Sequence, residues 1–412
     1  MLRSIAASYR EAYSGITRPV WLLSIATLVN RSGTMVLPFL ALYLNEELGF
    51  TPAEAGQTLA LYGLGGMAAS FLAGWLCDRF DPRRVMTWSL ALTGVGFLVV
   101  GHLRGRLAIS LAVMVLSVVG EAFRPANSAA LAAASDPAKR VRSFALNRLA
   151  VNLGMTLGPA VGGFLAAYDY GWLFKADGIT CLLAAGLLRF SFREAGTVEE
   201  AAPAEQPPAA LSGPSPWRDR HFLTLLVLIF LIATVVFQVM GTYPLSLRDL
   251  YGFSEARIGL VLAINTFLIV LFEMVLVHSL ADRDPYKLLG VGGFLFCAGF
   301  ALLPLGSSFA YVAFTVAVWS VGEMLTFPIS VAVVADRAAE ANRGRYMGLY
   351  NLAFATAFVV APLLGTWIYQ SFGPRALWYG CGAIGVVVWI GFYALSTADR
   401  SSPGSEITPR AA

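Results

Sequence analysis

Apolar runs of about twenty residues, each long enough to cross the hydrocarbon of a bilayer, recur along the whole sequence. This recurrence limits the chain to a membrane architecture. Spans are expected at roughly 19–44, 53–77, 85–103, 107–133, 141–168, 172–190, 221–247, 255–280, 287–305, 308–334, 345–370 and 375–396. The composition agrees: 57% of residues are hydrophobic and only 13% charged, where soluble domains carry roughly 25% charge. Lipid must therefore be the solvent for an all-α protein of twelve transmembrane helices. Short polar turns join the spans, some with helix-start chemistry such as Thr51-Pro52-Ala53-Glu54.

Charge distribution sets the expected orientation. The segment Met1–Arg18 is polar and amphipathic, unlike a cleavable signal, and is expected along the membrane face. That segment, the even-to-odd loops and the C-terminus hold about twenty of the lysines and arginines, so both termini are expected in the cytoplasm of a bacterial-type inner membrane. Residues 194–218 are rich in Pro, Ala and Glu, which predicts a mobile cytoplasmic linker. It separates a bundle over 1–193 from a second over 219–412 with a short cytoplasmic tail. The halves repeat at a lag of 202 to 206 residues: Asp78-Arg79 as Asp282-Arg283, Gly120-Glu121 as Gly322-Glu323, Arg140 and Arg142 as Arg343 and Arg345, Pro159 and Gly162 as Pro362 and Gly365, Pro38 as Pro244. A parallel repeat of six spans predicts two pseudo-symmetric bundles facing each other across a midplane cavity.

Other classes find no support. A net charge of +4 leaves no nucleic-acid footprint. Cys77, Cys181, Cys297 and Cys381 are scattered singly, without metal or disulfide spacing. His102, His221 and His278 lie far apart, so no metal centre is expected. No Gly-rich loop with Lys is present to hold ATP, and neither a cofactor nor enzymatic activity is expected.

The loop after span 2, Gly74 to Arg84, reads GWLCDRFDPRR, and span 5 contains GMTLGPAVGG, Gly154 to Gly163. On these motifs, the repeat and the span count, nearly the whole chain resembles a major facilitator superfamily transporter, in particular the twelve-span drug:proton antiporters. The resemblance implies that Gly74, Asp78, Arg79, Arg83 and Arg84, with Asp136 at the end of span 4, latch the two halves in the outward-open state. Asp282 and Arg283 form a more degenerate second copy. Asp81 stands where the family usually has glycine, and since Asp tolerates left-handed backbone, the same turn is expected there. In span 5, Gly154, Gly158, Pro159, Gly162 and Gly163 resemble the antiporter glycine-proline motif; the glycine spacing permits close helix approach, and Pro159 removes one backbone hydrogen bond.

Charged residues inside spans point to function. Arg31 lies in span 1, Glu121 and Arg124 in span 4 at a spacing that shares one helix face, Arg148 in span 5, Glu273 in span 8 and Glu323 in span 10. The family lines its cavity with spans 1, 4, 7 and 10, which implies that Arg31, Glu121 and Glu323 converge there. A carboxylate in that setting can exchange an arginine for a proton or a substrate. Arg31, Glu121, Arg124, Glu323 and Glu273 are thus candidates for proton coupling or substrate contact. Asn30, Tyr43, Gln238, Tyr243, Asn265, Trp319 and Asn351 are candidates for the cavity wall. Span 4 has Leu116 and Ser117 where the family's antiporters carry an arginine, and Arg124 is displaced toward the cytoplasm. The expected function is proton-coupled efflux of drugs or other amphipathic small molecules by a monomer. Alternatives are a proton-coupled importer of peptides or another nutrient, and a non-transporting receptor or lipid-handling protein.

Overall fold

The computed structural model describes residues 16–136, 139–191, 215–280, 282–338 and 342–401. The segment expected along the membrane face thus falls outside them up to residue 15, as does the expected linker up to residue 214. Among the described residues eleven helical spans are long and apolar enough to cross a membrane, and the shorter apolar helix Pro285–Ala301 supplies the twelfth.

Spans 1 to 6 form one bundle. Span 1 is Arg18–Ser32 with Val36–Glu46, span 2 Pro52–Arg79, span 3 Pro82–Val100, span 4 Arg106–Glu121 with Phe123–Ala134, span 5 Arg140–Tyr168 and span 6 Gly171–Ser191. Spans 7 to 12 form the other. Span 7 is Arg220–Val236, a 3-10 turn Phe237–Met240 and Thr242–Tyr251; spans 8 to 12 are Glu255–Ser279, Pro285–Ala301, Phe309–Arg337, Arg343–Phe372 and Pro374–Ser401. An even number of spans puts residues 16 and 401 on the same side, called here the terminal face; the opposite side is the far face.

Local chemistry explains where spans begin and break. Thr51 and Glu54 close a capping box with Pro52 in the first turn, so span 2 starts as its sequence predicts. Asp81 corrects an expectation. Its backbone is not left-handed (φ −51°, ψ 125°); its carboxylate accepts the Arg83 N–H at 2.8 Å and caps span 3. Asp284 repeats this before Pro285, accepting from the N–H groups of Tyr286 and Lys287. Span 4 is interrupted after Glu121. Pro125 four residues on has no N–H to return to the Glu121 carbonyl.

Span 1 is broken at residues 33–35 and span 7 at 237–241, corresponding positions in the two repeats. In a membrane the freed backbone groups need partners inside the protein. For span 1 they come from span 6: the fully buried Asp177 carboxylate accepts from the N–H of Met35 at 3.0 and 3.1 Å and of Val36 at 2.8 Å. In span 7 the Gln238 side chain donates to the Thr234 carbonyl, accepts from the Thr242 hydroxyl at 2.7 Å and also donates to the Ala361 carbonyl of span 11, which ties the break to that helix.

The bundles meet toward the far face. One continuous buried core there joins residues of both halves, while the part of the first bundle near the terminal face has a core of its own. Span 2 packs on span 11 at Gly56 and Gly63, whose missing side chains leave room for Thr366 and Phe358; farther along, Gly66 faces only its own bundle and Gly74 faces open space. A cavity between the bundles therefore opens toward the terminal face.

Candidate functional site

The cavity begins at the span 1 break and enters the first bundle between spans 1, 2, 3, 4 and 6. It has a volume of about 200 Å³, more than ten times the room one water needs. Asn30, Arg31, Tyr62, Glu121, Arg124 and Asp177 supply its polar wall; Phe97, Met155 and Phe174 of the first bundle and Met240 and Phe358 of the second supply apolar surface. Arg31 and Glu121, expected to share a cavity, both line it. Tyr62 donates its hydroxyl to Glu121 at 3.1 Å, and Arg124 stands 3.7 Å from the same carboxylate. Asn30 reaches the Cys181 sulfur at 3.5 Å.

Other candidates lie elsewhere. Glu323 accepts from Asn265 at 2.9 Å, and Asn265 also reaches Ser320; Glu323 is not on the wall of this cavity, so three-way convergence with Arg31 and Glu121 does not occur in this conformation. Glu273 pairs with Arg148, tying span 8 to span 5 across the bundles. Tyr243 and Trp319, expected on the wall, are buried in the second bundle's interior among Phe296, Phe300 and Trp378, because their rings complete an aromatic cluster there. Tyr43 is likewise buried, packed on Phe174 and accepting from Arg104. Gln238 is taken up by the span 7 break, and Asn351 is exposed.

The span 5 motif serves two contacts. Gly154, Gly158 and Gly162 form one face against the span 1 break: a Cβ on them would lie 2.5 Å from the Arg31 Cβ, 3.0 Å from the Thr34 carbonyl and 2.9 Å from the Met35 Cβ. Gly163 faces the other bundle, where a Cβ would fall 2.5 Å from the Glu255 carbonyl and 2.9 Å from Gly259. Pro159 lies inside the helix between these faces.

The latch residues surround the terminal-face turns. Gly74 and Asp78 are exposed near the end of span 2, and Arg79 covers the Trp75 ring at 4.2 Å. Arg83 and Arg84 occupy the first turn of span 3, Asp136 follows the end of span 4, and Asp282 and Arg283 are exposed between spans 8 and 9. The latch is expected in the opposite conformation, open at the far face.

A second polar cluster, which the sequence reading did not find, closes the far face. Arg248 bridges Glu46 at 2.7 Å and Glu255 at 2.5 Å, and the Tyr170 hydroxyl donates to Glu46 at 2.8 Å and Glu255 at 3.1 Å. Glu46 and Tyr170 belong to the first bundle, Arg248 and Glu255 to the second. Burial, and then the hydrogen bond to Glu46, push the Tyr170 hydroxyl above its ordinary range, so it remains a neutral donor. Asp177 was also missed, although a lone carboxylate inside an apolar run is a readable signal.

The sequence matches the family model described as Major Facilitator Superfamily over residues 22–283 and 225–411. It is 24% identical to YqjV, an MFS-type transporter of Bacillus subtilis (strain 168), over 92% of this chain and 93% of that one. It is also 24% identical to a Na(+), Li(+), K(+)/H(+) antiporter of Planococcus maritimus (86% and 88% covered) and 22% identical to the multidrug resistance protein MdtH of Yersinia pestis (strain Pestoides F) (87% and 89%). Among solved structures the fold resembles the peptide transporter POT in complex with sulfate, with a TM-score of 0.77 at 16% identity over 94% of this chain and 96% of that one. It also resembles the nucleoside transporter NupG, with a TM-score of 0.73 at 13% identity over 92% and 100%. Family match, twelve spans in two repeated bundles and a cavity at the repeat interface lead to one conclusion: the chain belongs to the Major Facilitator Superfamily and is a non-enzymatic secondary transporter.

Proposed function

We propose that this transporter is a proton-coupled exporter of amphipathic small molecules, that its terminal face is cytoplasmic, and that Glu121 carries the coupling proton. The lysine and arginine bias supports the orientation, and the opening of the cavity toward the terminal face then suits loading from inside the cell. The observation that carries the coupling reading is the environment of Glu121. Its carboxylate lines the cavity between a tyrosine hydroxyl and an arginine 3.7 Å away, and that arginine's side chain is 72% exposed. A static buried ion pair would bury both partners; this one leaves the carboxylate free to change partners. The span 5 glycine-proline motif and the similarity to an antiporter and a multidrug resistance protein favour export.

The test is flux of an amphipathic fluorophore into proteoliposomes under an imposed pH gradient. An antiporter accumulates the probe when the interior is acid, because protons leave as substrate enters; a symporter does so when the exterior is acid. Acid-interior accumulation is expected, and Glu121→Gln should keep gradient-free exchange while losing the acceleration. Acid-exterior accumulation would overturn export. Wild-type gradient dependence in Glu121→Gln would move the proton to Glu323 or Glu273.

A further inference from the structure

We propose that the cavity recognises an anionic group, of the carboxylate class, carried on an apolar body, and that Arg31 is its counter-ion. The inference rests on the transport reading above and specifies its substrate class.

The two other arginines expected inside spans have acidic partners: Arg124 faces Glu121 and Arg148 pairs with Glu273. Arg31 lines the cavity, yet among the described residues its guanidinium makes no hydrogen bond and no ion pair. Neither nearby carboxylate pairs with Arg31 in this conformation. Asp177 is fully buried and its oxygens accept the N–H groups of Met35 and Val36. Glu121 is shared between Tyr62 and Arg124. Arg31 sits in the last turn of the first half of span 1, where the helix end offers about half an elementary negative charge. That leaves part of the cation uncompensated on the cavity wall, and a positive wall of this kind selects an anion.

The backbone that carries Arg31 is held in place. Gly154 of span 5 packs directly on the Arg31 backbone and Cβ, and Asp177 fixes the next turn by capping the second half of span 1. A planar donor fork suits a carboxylate, which takes two parallel N–H bonds. Phe97, Met155, Met240 and Phe358 line the same space and give an apolar body somewhere to lie. An organic cation would instead have to pass the unpaired positive charge of Arg31.

Three probes with one dansyl body test this: dansylglycine, its methyl ester and dansyl-ethylenediamine, which carry a carboxylate, no charge and an ammonium. Each is titrated by fluorescence against the purified full chain in nanodiscs at neutral pH. The carboxylate should bind about tenfold or more tighter than the ester, the gain of a charge-assisted hydrogen bond. Arg31→Gln should erase that difference while leaving ester affinity within about twofold, and Arg31→Lys should keep part of it. Equal or tighter binding of the ester or ammonium by wild type overturns the proposal, as does retention of the preference in Arg31→Gln or the absence of saturable binding by all three. The wild-type comparison stands even if a variant fails to fold. Gradient-driven flux of the same probes separates the two readings. A carboxylate preference without flux defeats the exporter and spares the subsite; flux of all three with equal binding does the reverse.

Discussion

Single side chains decide where this molecule tolerates irregular backbone. Asp177 holds two N–H groups that would otherwise be orphaned at membrane depth. Asp177→Ala removes both acceptors, at about 1–3 kcal/mol for each unsatisfied group. A clear fall in Tm with loss of transport is expected, while Asp177→Asn, which keeps one accepting oxygen, should lose less; equal Tm for wild type and Asp177→Ala would count against the capping role. Asp219, just before span 7, titrates in the opposite setting. Burial raises its pKa, but hydrogen bonds from Arg337 and the Phe222 N–H outweigh that and hold it below the usual carboxylate range. The folded state therefore binds fewer protons there than the unfolded one. The resulting stability is complete above about pH 4, the unfolded value, and is lost as pH falls through the lower folded value. Wild type should lose more Tm between about pH 5 and pH 3 than Asp219→Asn, measured in one detergent. A parallel decline of the two would remove Asp219 from the acid response.

At the scale of elements, much was legible in the sequence, because the membrane enforces it. Apolar length fixed the spans, and matched Pro and charged positions fixed the repeat. The breaks were not legible: the partner that caps span 1 lies 142 residues from Met35, and periodicity carries no information about such pairs. Aromatic residues misled for a related reason, since Tyr243 and Trp319 have the composition of a cavity wall but pack into a core. Asp81-Pro82 and Asp284-Pro285 could have been read as helix starts from their chemistry alone. The span 5 glycines were legible as a packing motif, but not their division between span 1 and span 8. That division makes a specific claim. Gly163→Ala places a methyl group against the backbone of Glu255 and Gly259, neither of which can rotate away. Overpacking of about 1–3 kcal/mol at this inter-bundle contact should slow flux severalfold. Gly186→Ala in span 6, where nothing lies within 4 Å, should leave flux unchanged, and equal flux in the two variants would show that spans 5 and 8 do not need this close approach.

Across the whole molecule, the two bundles touch where alternating access requires them to part. Spans 5 and 8 are tied both at Gly163 and Gly259 and, nearer the terminal face, by Arg148 and Glu273, so they can act as a shared edge while other contacts open and close. The far-face cluster is the contact that must break for the cavity to open there. Arg248 is its hub: one guanidinium neutralises two carboxylates from different bundles, and its removal leaves Glu46 and Glu255 facing each other across Tyr170. The pairs are partly exposed, so their attraction is screened; about 1–2 kcal/mol is a reasonable worth for the hub, a five- to thirtyfold shift between conformations. Arg248→Gln should accordingly populate the form open at the far face. Thr366, buried where span 11 meets span 2 at Gly56, reports on that opening when replaced by cysteine in a Cys77→Ala background. A membrane-impermeant maleimide should label Thr366→Cys about five to thirty times faster when Arg248→Gln is added, and a proton-driven exporter biased this way should bind substrate more weakly from the terminal face. An unchanged labelling rate would mean that the apolar core joining the bundles, rather than the Arg248 cluster, holds the far face shut.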